Sequence, residues 1–501
     1  MAELCSKSSH FYPGMPVQVE VQLILDSVIR DQPPLFRFGV PRESAEAVFA
    51  ERPNTLIGYN YDMRCILLVL DGLGDKGLPE FGGKTPLQVA ETPNLDHAAS
   101  IGMNGLYHSY LQGVAMPSEL AHFLMFGYEI HEFPGRGLIE AIGEGIAVND
   151  ADVAILSRIF SVKPEDDRLI LTRETPEVDI ETCRTLQKEI RFFQKGNIEI
   201  EFIPTKAIEG ILILRGKVSA DITDSNPVYE GRPLMEILPA EEAEDSAVAL
   251  RTAEALNSYM KWCYKKLSSH PVNLERQKKG LLPVNAVGTQ RAGKMTGLTP
   301  FRQKWGLNPL SIASGSLYHG LCGFLGMEIR KVRDTGDVEK DLIERLRIAK
   351  GADEFDFIHV HTKAPDAAAH TRNSEHKKSV LESLDRALSY AREEILTDGE
   401  ILFIITADHS TASAGMMIHS GETVPITMCG RYTRRDDVTG FNEISCAGGG
   451  LGPVRGKELM YLVLNFLDRG KLFGLMDSPV NQPYFPGMYK PLRIRDAQGN
   501  T

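Results

Sequence analysis

Short apolar runs alternate along the chain with stretches whose apolar residues recur at helical spacing. The runs occupy residues 65–70, 355–360 and 401–405, and runs of this length are typical of parallel strands buried on both faces. Between residues 377 and 396 the apolar positions lie three or four apart, which predicts a helix. Strands that alternate with helices predict an α/β fold built on an open sheet.

A polar cluster follows each of these predicted strands. Asp71 ends the first run, and Asp408 and His409 follow the third. Asp366 and His370 follow the second run and are four residues apart, so a helical turn would place them on the same side. Because ligands bind beyond the carboxyl ends of strands in open α/β sheets, we expect these clusters to meet at one site.

The clusters combine carboxylates with imidazoles, and His419 follows ten residues after His409. Mixed oxygen and nitrogen ligands suit Mn²⁺ or Zn²⁺ better than Mg²⁺ or Ca²⁺, which prefer oxygen alone. A single Asp–His pair is common on loops and carries little weight. Several pairs, each at the end of a predicted strand, indicate a metal site.

Residues 152–283 have a different pattern, in which no predicted element carries an Asp–His cluster. The predicted strands are residues 153–160, 169–171, 198–203 and 210–214, and the predicted helices are residues 182–195 and 241–267. We interpret this segment as a second, smaller α+β unit inserted into the first. The catalytic sheet is expected to resume near Ser311.

The predicted organisation has four parts. An N-terminal extension contains an apolar stretch, residues 19–29, that could be a helix or a strand, and it has no assigned role. A discontinuous catalytic domain carries the candidate metal ligands, a smaller domain is inserted into it, and a tail rich in Pro, Asn and Gly ends the chain. The boundaries are residues 1–60 for the extension, 61–150 with 290–476 for the catalytic domain, 151–289 for the insertion and 477–501 for the tail.

Composition narrows the class of protein. The 501 residues are 43% hydrophobic and 24% charged, as in a globular protein with a large core. The formal charge of -12 argues against nucleic-acid binding, because phosphate backbones demand a cationic surface. No stretch approaches the ~18 apolar residues of a membrane span. The seven cysteines include no C-x-x-C pair and no signal peptide is evident, so we expect reduced thiols in the cytoplasm.

A candidate nucleophile lies in the stretch Met116-Pro-Ser118-Glu-Leu-Ala-His122. The default interpretation of Ser118, which precedes an apolar helical run, is a helix N-cap. A second interpretation is compatible with the first, because the N–H groups and the positive dipole end of a helix N-terminus favour a bound phosphate. A serine hydroxyl becomes an effective nucleophile when a base or a metal lowers its pKa.

Several motifs agree in order and spacing between about residues 64 and 465. They are Val69-Leu-Asp71-Gly-Leu-Gly-Asp75, Gly83-Lys-Thr-Pro-Leu87, Thr92-Pro-Asn-Leu95, Gly135-Arg-Gly137 with Glu140-Ala141, His359-Val-His361, Thr406-Ala-Asp408-His409-Ser-Thr411 and His419-Ser-Gly421. Together they resemble the archaeal-type cofactor-independent (2,3-bisphosphoglycerate-independent) phosphoglycerate mutases of the alkaline phosphatase superfamily. The resemblance implies an alkaline-phosphatase-like α/β fold whose mostly parallel sheet is flanked by helices.

The resemblance also implies two divalent metal ions, Mn²⁺ or Zn²⁺, with Mg²⁺ as a further alternative. The first metal would be held by Asp71, Ser118, Asp408 and His409, and the second by Asp366, His370 and His419. Ser118 would then be the residue that becomes phosphorylated, activated by the first metal. The second metal and nearby cations would stabilise the phosphoryl oxygens.

The resemblance further implies that the inserted unit closes over a small phosphorylated carboxylate and contributes cations. The candidates are Arg136, Arg158 and Arg291, together with Lys363. Arginine suits this task because its two-pronged donor group matches a carboxylate or a phosphate. For each of these cations the alternative is an ordinary surface charge.

The chain departs from the family pattern around the expected substrate. The family's Pro-Gly-Ser-Asp-Thr-Ala-His is here Met116-Pro-Ser118-Glu-Leu-Ala-His122, so the serine and the histidine are kept while small and polar neighbours change. Its Asp-Thr-Asp-Pro-His is here Asp224-Ser-Asn-Pro-Val228, an Arg-Ala-Gly-Arg segment is missing near residues 169–173, and His370 is followed by Thr371 rather than Asp. These differences predict that the metal chemistry is retained and the substrate pocket is altered.

Three functions are therefore compared. The first is interconversion of 2-phosphoglycerate and 3-phosphoglycerate through a phosphoserine. The alternative is a phosphatase or phosphotransferase acting on another small phosphorylated or phosphonate metabolite, and the third is a non-catalytic paralogue. The complete set of metal ligands argues against the third. Homo-oligomer formation is left open.

Overall fold

The computed structural model describes residues 63–487 and residue 492. The predicted extension 1–60, with its apolar stretch 19–29, lies outside the described residues, as does most of the chain beyond residue 487. Among the helices that are described, none has the length and apolar character to cross a membrane. The six cysteines in this part of the chain are buried and free of disulfides.

Strands and helices alternate through much of the chain. In chain order the strands are β1 (Arg64–Leu70), β2 (Met103–His108), β3 (Val153–Glu165), β4 (Arg168–Arg173), β5 (Phe192–Lys195), β6 (Ile198–Pro204), β7 (Glu209–Arg215), β8 (Ala286–Lys294), β9 (Pro309–Ala313), β10 (Glu328–Lys331), β11 (Phe357–Thr362), β12 (Ile401–Thr406), β13 (Val424–Cys429) and β14 (Gly452–Arg455). The α-helices are Pro86–Val89, Pro93–Ile101, Ser118–Met125, Arg136–Gly143, Ile180–Glu189, Ser246–Ser268, Pro271–Lys278, Phe301–Trp305, Ser316–Phe324, Val338–Lys350, Ala364–His370, Ser374–Tyr390 and Glu458–Phe466.

The first sheet has eight strands in the order β10-β9-β11-β1-β12-β13-β2-β14. The strands from β10 to β12 run parallel to one another, and β13 is antiparallel to both of its neighbours. Every residue of β1, β11 and β12 is buried, because helices cover both faces of the sheet at its centre. The α/β fold class with a mostly parallel sheet, predicted from the apolar runs, is confirmed.

The second sheet is antiparallel and smaller. Its order is β4-β3-β7-β6-β5, with β8 paired to β3. A hydrophobic cluster separate from that of the first sheet lies between these strands and the helix Ser246–Ser268. The predicted boundary at residue 289 falls inside β8, and the division of the chain into a catalytic and an inserted domain stays a prediction.

All three predicted helices differ from the structure at one end or both, and the helix predicted over residues 241–267 begins only at Ser246. The helix predicted over residues 182–195 is wrong at its C-terminal end: it stops at Glu189, and residues 192–195 form β5, which turns back into β6 through Gly196 and Asn197. Gly196 has a φ of 60°, the left-handed conformation that such a two-residue hairpin requires. The helix predicted over residues 377–396 instead begins at Ser374 and ends in a π-helical turn over Ala391–Ile395.

A substitution at Leu68 tests whether β1, a central strand of the first sheet, belongs to the hydrophobic core. The substitution Leu68→Ala should lower the free energy of unfolding by about 2–5 kcal/mol, because it leaves a cavity where a fully buried side chain packed. Leu250→Ala is the control, since Leu250 is 48% exposed and its loss should change stability by about 0.5 kcal/mol. Urea denaturation measures both, and equal effects of the two substitutions would contradict the assignment of β1 to the core.

Candidate metal centre

Three neighbouring strands of the first sheet bring three carboxylates to one place. Asp71 directly follows β1, Asp366 lies in the helix after β11, and Asp408 lies two residues beyond β12. Because β1 lies between β11 and β12 and runs parallel to both, the carboxyl ends of these strands meet at one edge. All three carboxylates are fully buried there.

The first group of potential metal ligands contains Asp71, Asp408 and His409, whose ligand atoms lie within 4.8 Å of one another. Nε2 of His409 lies 3.4 Å from Oδ1 of Asp71 and 3.1 Å from Oδ2 of Asp408. The hydroxyl of Ser118 lies 2.9 Å from the same Nε2 atom. The four residues that the resemblance assigns to the first metal therefore form one cluster.

The second group contains Asp366, His409 and His419, again with ligand atoms within 4.8 Å of one another. Nε2 of His419 lies 3.6 Å from Oδ1 of Asp366, and Nε2 of His370 lies 3.2 Å from the same oxygen. The rings of His409 and His419 stack with centroids 3.9 Å apart, so the two groups are contiguous. The sequence assigns His409 to one metal, whereas its imidazole lies near the ligands of both.

One oxygen of each buried carboxylate makes no well-aligned hydrogen bond within residues 63–487. These atoms are Oδ1 of Asp71, Oδ2 of Asp366 and Oδ2 of Asp408; the first and third lie 3.4 and 3.1 Å from Nε2 of His409, and the second lies 3.0 Å from Nζ of Lys363. A buried carboxylate that is incompletely hydrogen-bonded is energetically costly. Carboxylate and imidazole ligands converging in this way fit divalent cations, which would satisfy the three atoms.

The charges of the centre shift the pKa values of its members. Burial raises the pKa of Asp408, but the neighbouring His409 and His122 outweigh burial and hold it well below its ordinary value. Burial lowers the pKa of His409, but Asp408, Asp71 and other carboxylates outweigh burial and raise it to about 9. Without a metal, the carboxylates therefore retain a proton on His409, and a metal ion bound at this nitrogen would displace it.

Ser118 does not cap a helix. The helix Ser118–Met125 has Pro117 at its N-cap position, with no capping side chain, and Ser118 is the first helical residue. The N-cap interpretation is therefore wrong, and the hydroxyl is directed to His409 instead. The backbone position still lies at the helix N-terminus, where N–H groups and the dipole favour a phosphate.

Three buried residues that contact the centre have no role assigned from the sequence. Nδ1 of His122 lies 2.9 Å from the carbonyl oxygen of Ser118, the residue at the start of the same helix. Nε2 of His361 lies 3.1 Å from Oδ2 of Asp71, and the hydroxyl of Tyr318 donates a hydrogen bond to that oxygen. His122 and His361 belong to motifs seen in the sequence, whereas no local pattern identifies Tyr318.

A buried lysine joins the two loops that carry the first group of ligands. Nζ of Lys377 donates to the carbonyl oxygen of Gly74 at 2.7 Å and to that of Thr411 at 2.8 Å. It also lies 3.2 Å from Oδ2 of Asp75. The ammonium group of Lys377 therefore connects the loop after β1 to the loop after β12.

Lys363 lies at the metal centre itself. Its Nζ is 3.0 Å from Oδ2 of Asp366 and 3.6 Å from Oδ2 of Asp71, so it faces one carboxylate of each group. Burial lowers the pKa of Lys363, but the two carboxylates outweigh burial and raise it above its ordinary value. Lys363 therefore stays positively charged.

The three predicted arginines line one cavity of about 320 Å³. Arg136 begins a helix, Arg158 lies on β3, and Arg291 lies on β8 next to a register shift between the two strands. Arg291 has a φ of 53°, a backbone conformation that a non-glycine residue adopts only when its surroundings enforce it. Ile418, the neighbour of His419, lines the same cavity, which therefore adjoins the metal centre.

Each arginine of the cavity is already paired with a glutamate. Arg158 lies 3.0 Å from both Glu174 and Glu209. Glu119, the residue after Ser118, is buried and accepts a hydrogen bond from Arg291. Arg136 lies 2.7 Å from Glu140 and 3.5 Å from Glu119.

This arrangement agrees with the proteins that the chain resembles. Residues 63–466 match the family model described as the Metalloenzyme superfamily, so the protein is an enzyme of the class that binds divalent metal ions. A protein of Methanocaldococcus jannaschii named 2,3-bisphosphoglycerate-independent phosphoglycerate mutase 2 is 40% identical to the chain over 432 residues. The alignment covers 85% of this chain and 98% of that protein.

Two solved structures are also similar. The cofactor-independent phosphoglycerate mutase from Thermoplasma acidophilum is 27% identical, with a TM-score of 0.56, and the match covers 81% of this chain and 100% of that chain. A Pyrococcus horikoshii protein is 26% identical, with a TM-score of 0.66, and covers 83% and 100% respectively. The chain belongs to the 2,3-bisphosphoglycerate-independent phosphoglycerate mutase family, as its motifs predicted.

Removal of metal tests the centre as a whole. Extensive dialysis against a chelator should lower the melting temperature, because the buried carboxylates of Asp71, Asp366 and Asp408 then repel one another. Addition of Mn²⁺ at 100 times its Kd should restore about 2.7 kcal/mol of stability. Differential scanning calorimetry measures this change, with Ca²⁺ as a control that suits oxygen ligands alone. A melting temperature indifferent to chelator and to Mn²⁺ would contradict a metal centre here.

Proposed function

We propose that the chain interconverts 2-phosphoglycerate and 3-phosphoglycerate by transferring the phosphoryl group through Ser118. The observation that carries the proposal is the position of the Ser118 hydroxyl, 2.9 Å from Nε2 of His409, the imidazole near both groups of potential metal ligands. The hydroxyl is also at the N-terminus of the helix Ser118–Met125. A phosphoryl group held there would meet helix N–H groups on one side.

The proposed metal ions are two divalent cations, Mn²⁺ or Zn²⁺, with Mg²⁺ as an alternative. The ligands would be Asp71, Ser118, Asp408 and His409 for one ion and Asp366, His370 and His419 for the other. When bound, such ions lower the pKa of a coordinated hydroxyl and draw negative charge from phosphoryl oxygens. All three aspartates have one oxygen that makes no well-aligned hydrogen bond within the described residues, which supports this ligand set.

The proposed reaction has two symmetrical halves. In the first, the hydroxyl of Ser118 loses its proton and Oγ forms a bond to phosphorus while the bond from phosphorus to one glycerate oxygen breaks, and that oxygen takes a proton. In the second, the other glycerate hydroxyl loses its proton and forms a bond to phosphorus while the bond from phosphorus to Oγ of Ser118 breaks, and Oγ takes a proton. Lys363 would lie beside the transferring group, because its Nζ faces Asp71 and Asp366.

Glycerate must stay bound between the two halves, and the proposed place is the cavity of Arg136, Arg158 and Arg291. Its volume of about 320 Å³ is in the range of small-molecule sites. Arg158 lies within residues 151–289, and Arg291 lies on β8, the strand of the second sheet that crosses residue 289, which supports the predicted role of the inserted unit in covering the substrate. The proposed location is the cytoplasm, where the buried, unpaired thiols would remain reduced.

The alternative function, a phosphatase or phosphotransferase, would use the same serine with water or a foreign alcohol as acceptor. The comparisons do not favour it, since the similar proteins are named as mutases. A complete ligand set likewise does not favour a non-catalytic paralogue.

Incubation of the protein with 3-phosphoglycerate and Mn²⁺, without 2,3-bisphosphoglycerate, should yield 2-phosphoglycerate, which phosphorus NMR detects. Release of inorganic phosphate faster than isomerisation would support the alternative.

Ser118→Ala tests the covalent step. The substitution removes the attacking oxygen and should reduce turnover by more than about 10³-fold while the fold is kept. Intact-mass analysis after mixing with 3-phosphoglycerate should show a phosphorylated species in the unsubstituted protein and none in the variant.

Ser161→Ala is the matched control, because Ser161 is buried on β3 and its hydroxyl has no hydrogen-bond partner in the described part of the chain. Its turnover should match that of the unsubstituted protein. Near-normal turnover by Ser118→Ala would show that Ser118 is not the nucleophile.

A further inference from the structure

Asp71 presents its two carboxylate oxygens to different surroundings. Oδ2 accepts a hydrogen bond from the hydroxyl of Tyr318 and lies 3.1 Å from Nε2 of His361. Oδ1 has no hydrogen-bond partner among the described residues, and it lies 3.4 Å from Nε2 of His409. One oxygen is thus supplied with two donors, and the other faces the ligands of the first group.

Tyr318 comes from a separate part of the fold. It lies on the helix Ser316–Phe324, which follows β9, and is almost fully buried. Its ring lies against His361 with centroids 3.7 Å apart and near His122 with centroids 5.1 Å apart. Because the Tyr318 ring packs against these two imidazoles, its orientation is fixed, and so is the direction from which its hydroxyl reaches Asp71.

We propose that Tyr318 is a positioning residue that holds Oδ2 of Asp71 and thereby directs Oδ1 of Asp71 into the metal site. The inference rests on the proposed function, because it requires Asp71 to be a ligand. A carboxylate that is free to rotate could coordinate the metal through either oxygen or through both, so the coordination geometry at the metal would be less well defined. Partners behind a metal ligand that orient it in this way typically change metal affinity 10–100-fold.

The test is Tyr318→Phe, which keeps the ring against His361 and removes only the hydroxyl. The matched control is Tyr259→Phe, because Tyr259 is also buried and its hydroxyl, on the helix Ser246–Ser268, donates to the carbonyl oxygen of Ile190 at 2.9 Å. Both variants lose one buried hydrogen bond. After removal of metal, the melting temperature of Tyr318→Phe should fall further than that of Tyr259→Phe, because the hydrogen bond that it loses is to a buried carboxylate rather than to a neutral carbonyl.

Titration of the metal-free proteins with Mn²⁺, followed by calorimetry, distinguishes positioning from a structural role. We expect the Kd of one of two binding events to rise 10–100-fold in Tyr318→Phe and to be unchanged in Tyr259→Phe. At saturating Mn²⁺ the kcat of Tyr318→Phe should recover most of the value of the unsubstituted protein. Unchanged Mn²⁺ affinity in Tyr318→Phe would overturn the proposal.

Asp71→Asn separates failure of this inference from failure of the proposed function. If Asp71→Asn loses one Mn²⁺ and Tyr318→Phe binds both with unchanged affinity, Asp71 is a ligand and Tyr318 does not position it. If Asp71→Asn binds Mn²⁺ like the unsubstituted protein, the proposed ligand set is wrong and the inference falls with it. Weakened binding in both variants, with the control unaffected, supports both.

Discussion

Repulsion among three buried carboxylates shapes the whole centre. The adjacency of β1, β11 and β12 forces Asp71, Asp366 and Asp408 together, and burial removes the water that would screen them. Positive and hydrogen-donating groups surround the carboxylates on several sides, including Lys363 at the edge of the site. Divalent cations would complete the balance of charge at the carboxylate oxygens for which these groups provide no well-aligned hydrogen bond.

The surroundings of the centre hold the loops as well as the charges. Lys377 connects the loops after β1 and β12 through their carbonyl oxygens, so the spacing of Asp71 and Asp408 does not depend on the ligands alone. Glu119 extends the same framework outwards, because it follows Ser118 and receives a hydrogen bond from Arg291 on the second sheet. Ser118, the proposed nucleophile, is thus linked by one side chain to the cavity in which glycerate is proposed to lie.

Much of this arrangement could be predicted from the sequence, since buried strands have continuous apolar runs and metal ligands come from few residue types. Those two signals identified β1, β11 and β12 and the residues that the structure brings together at their ends. Tyr318 could not be found in this way, because its contact with Asp71 spans 247 residues and leaves no local pattern. The hairpin at Gly196 was missed for a different reason: the apolar spacing before it also suits a helix.

The glutamates beside the arginines of the cavity determine how an anion would enter and leave. Arg158 already has two carboxylate neighbours, and Arg291 already has one. Under the proposed function, the carboxylate of an arriving phosphoglycerate would replace a glutamate carboxylate at an arginine, and the same glutamate would return to the arginine when the product departs. Such an exchange keeps the free-energy change of both binding and release small. This suits an isomerase that must release either of two nearly equivalent products.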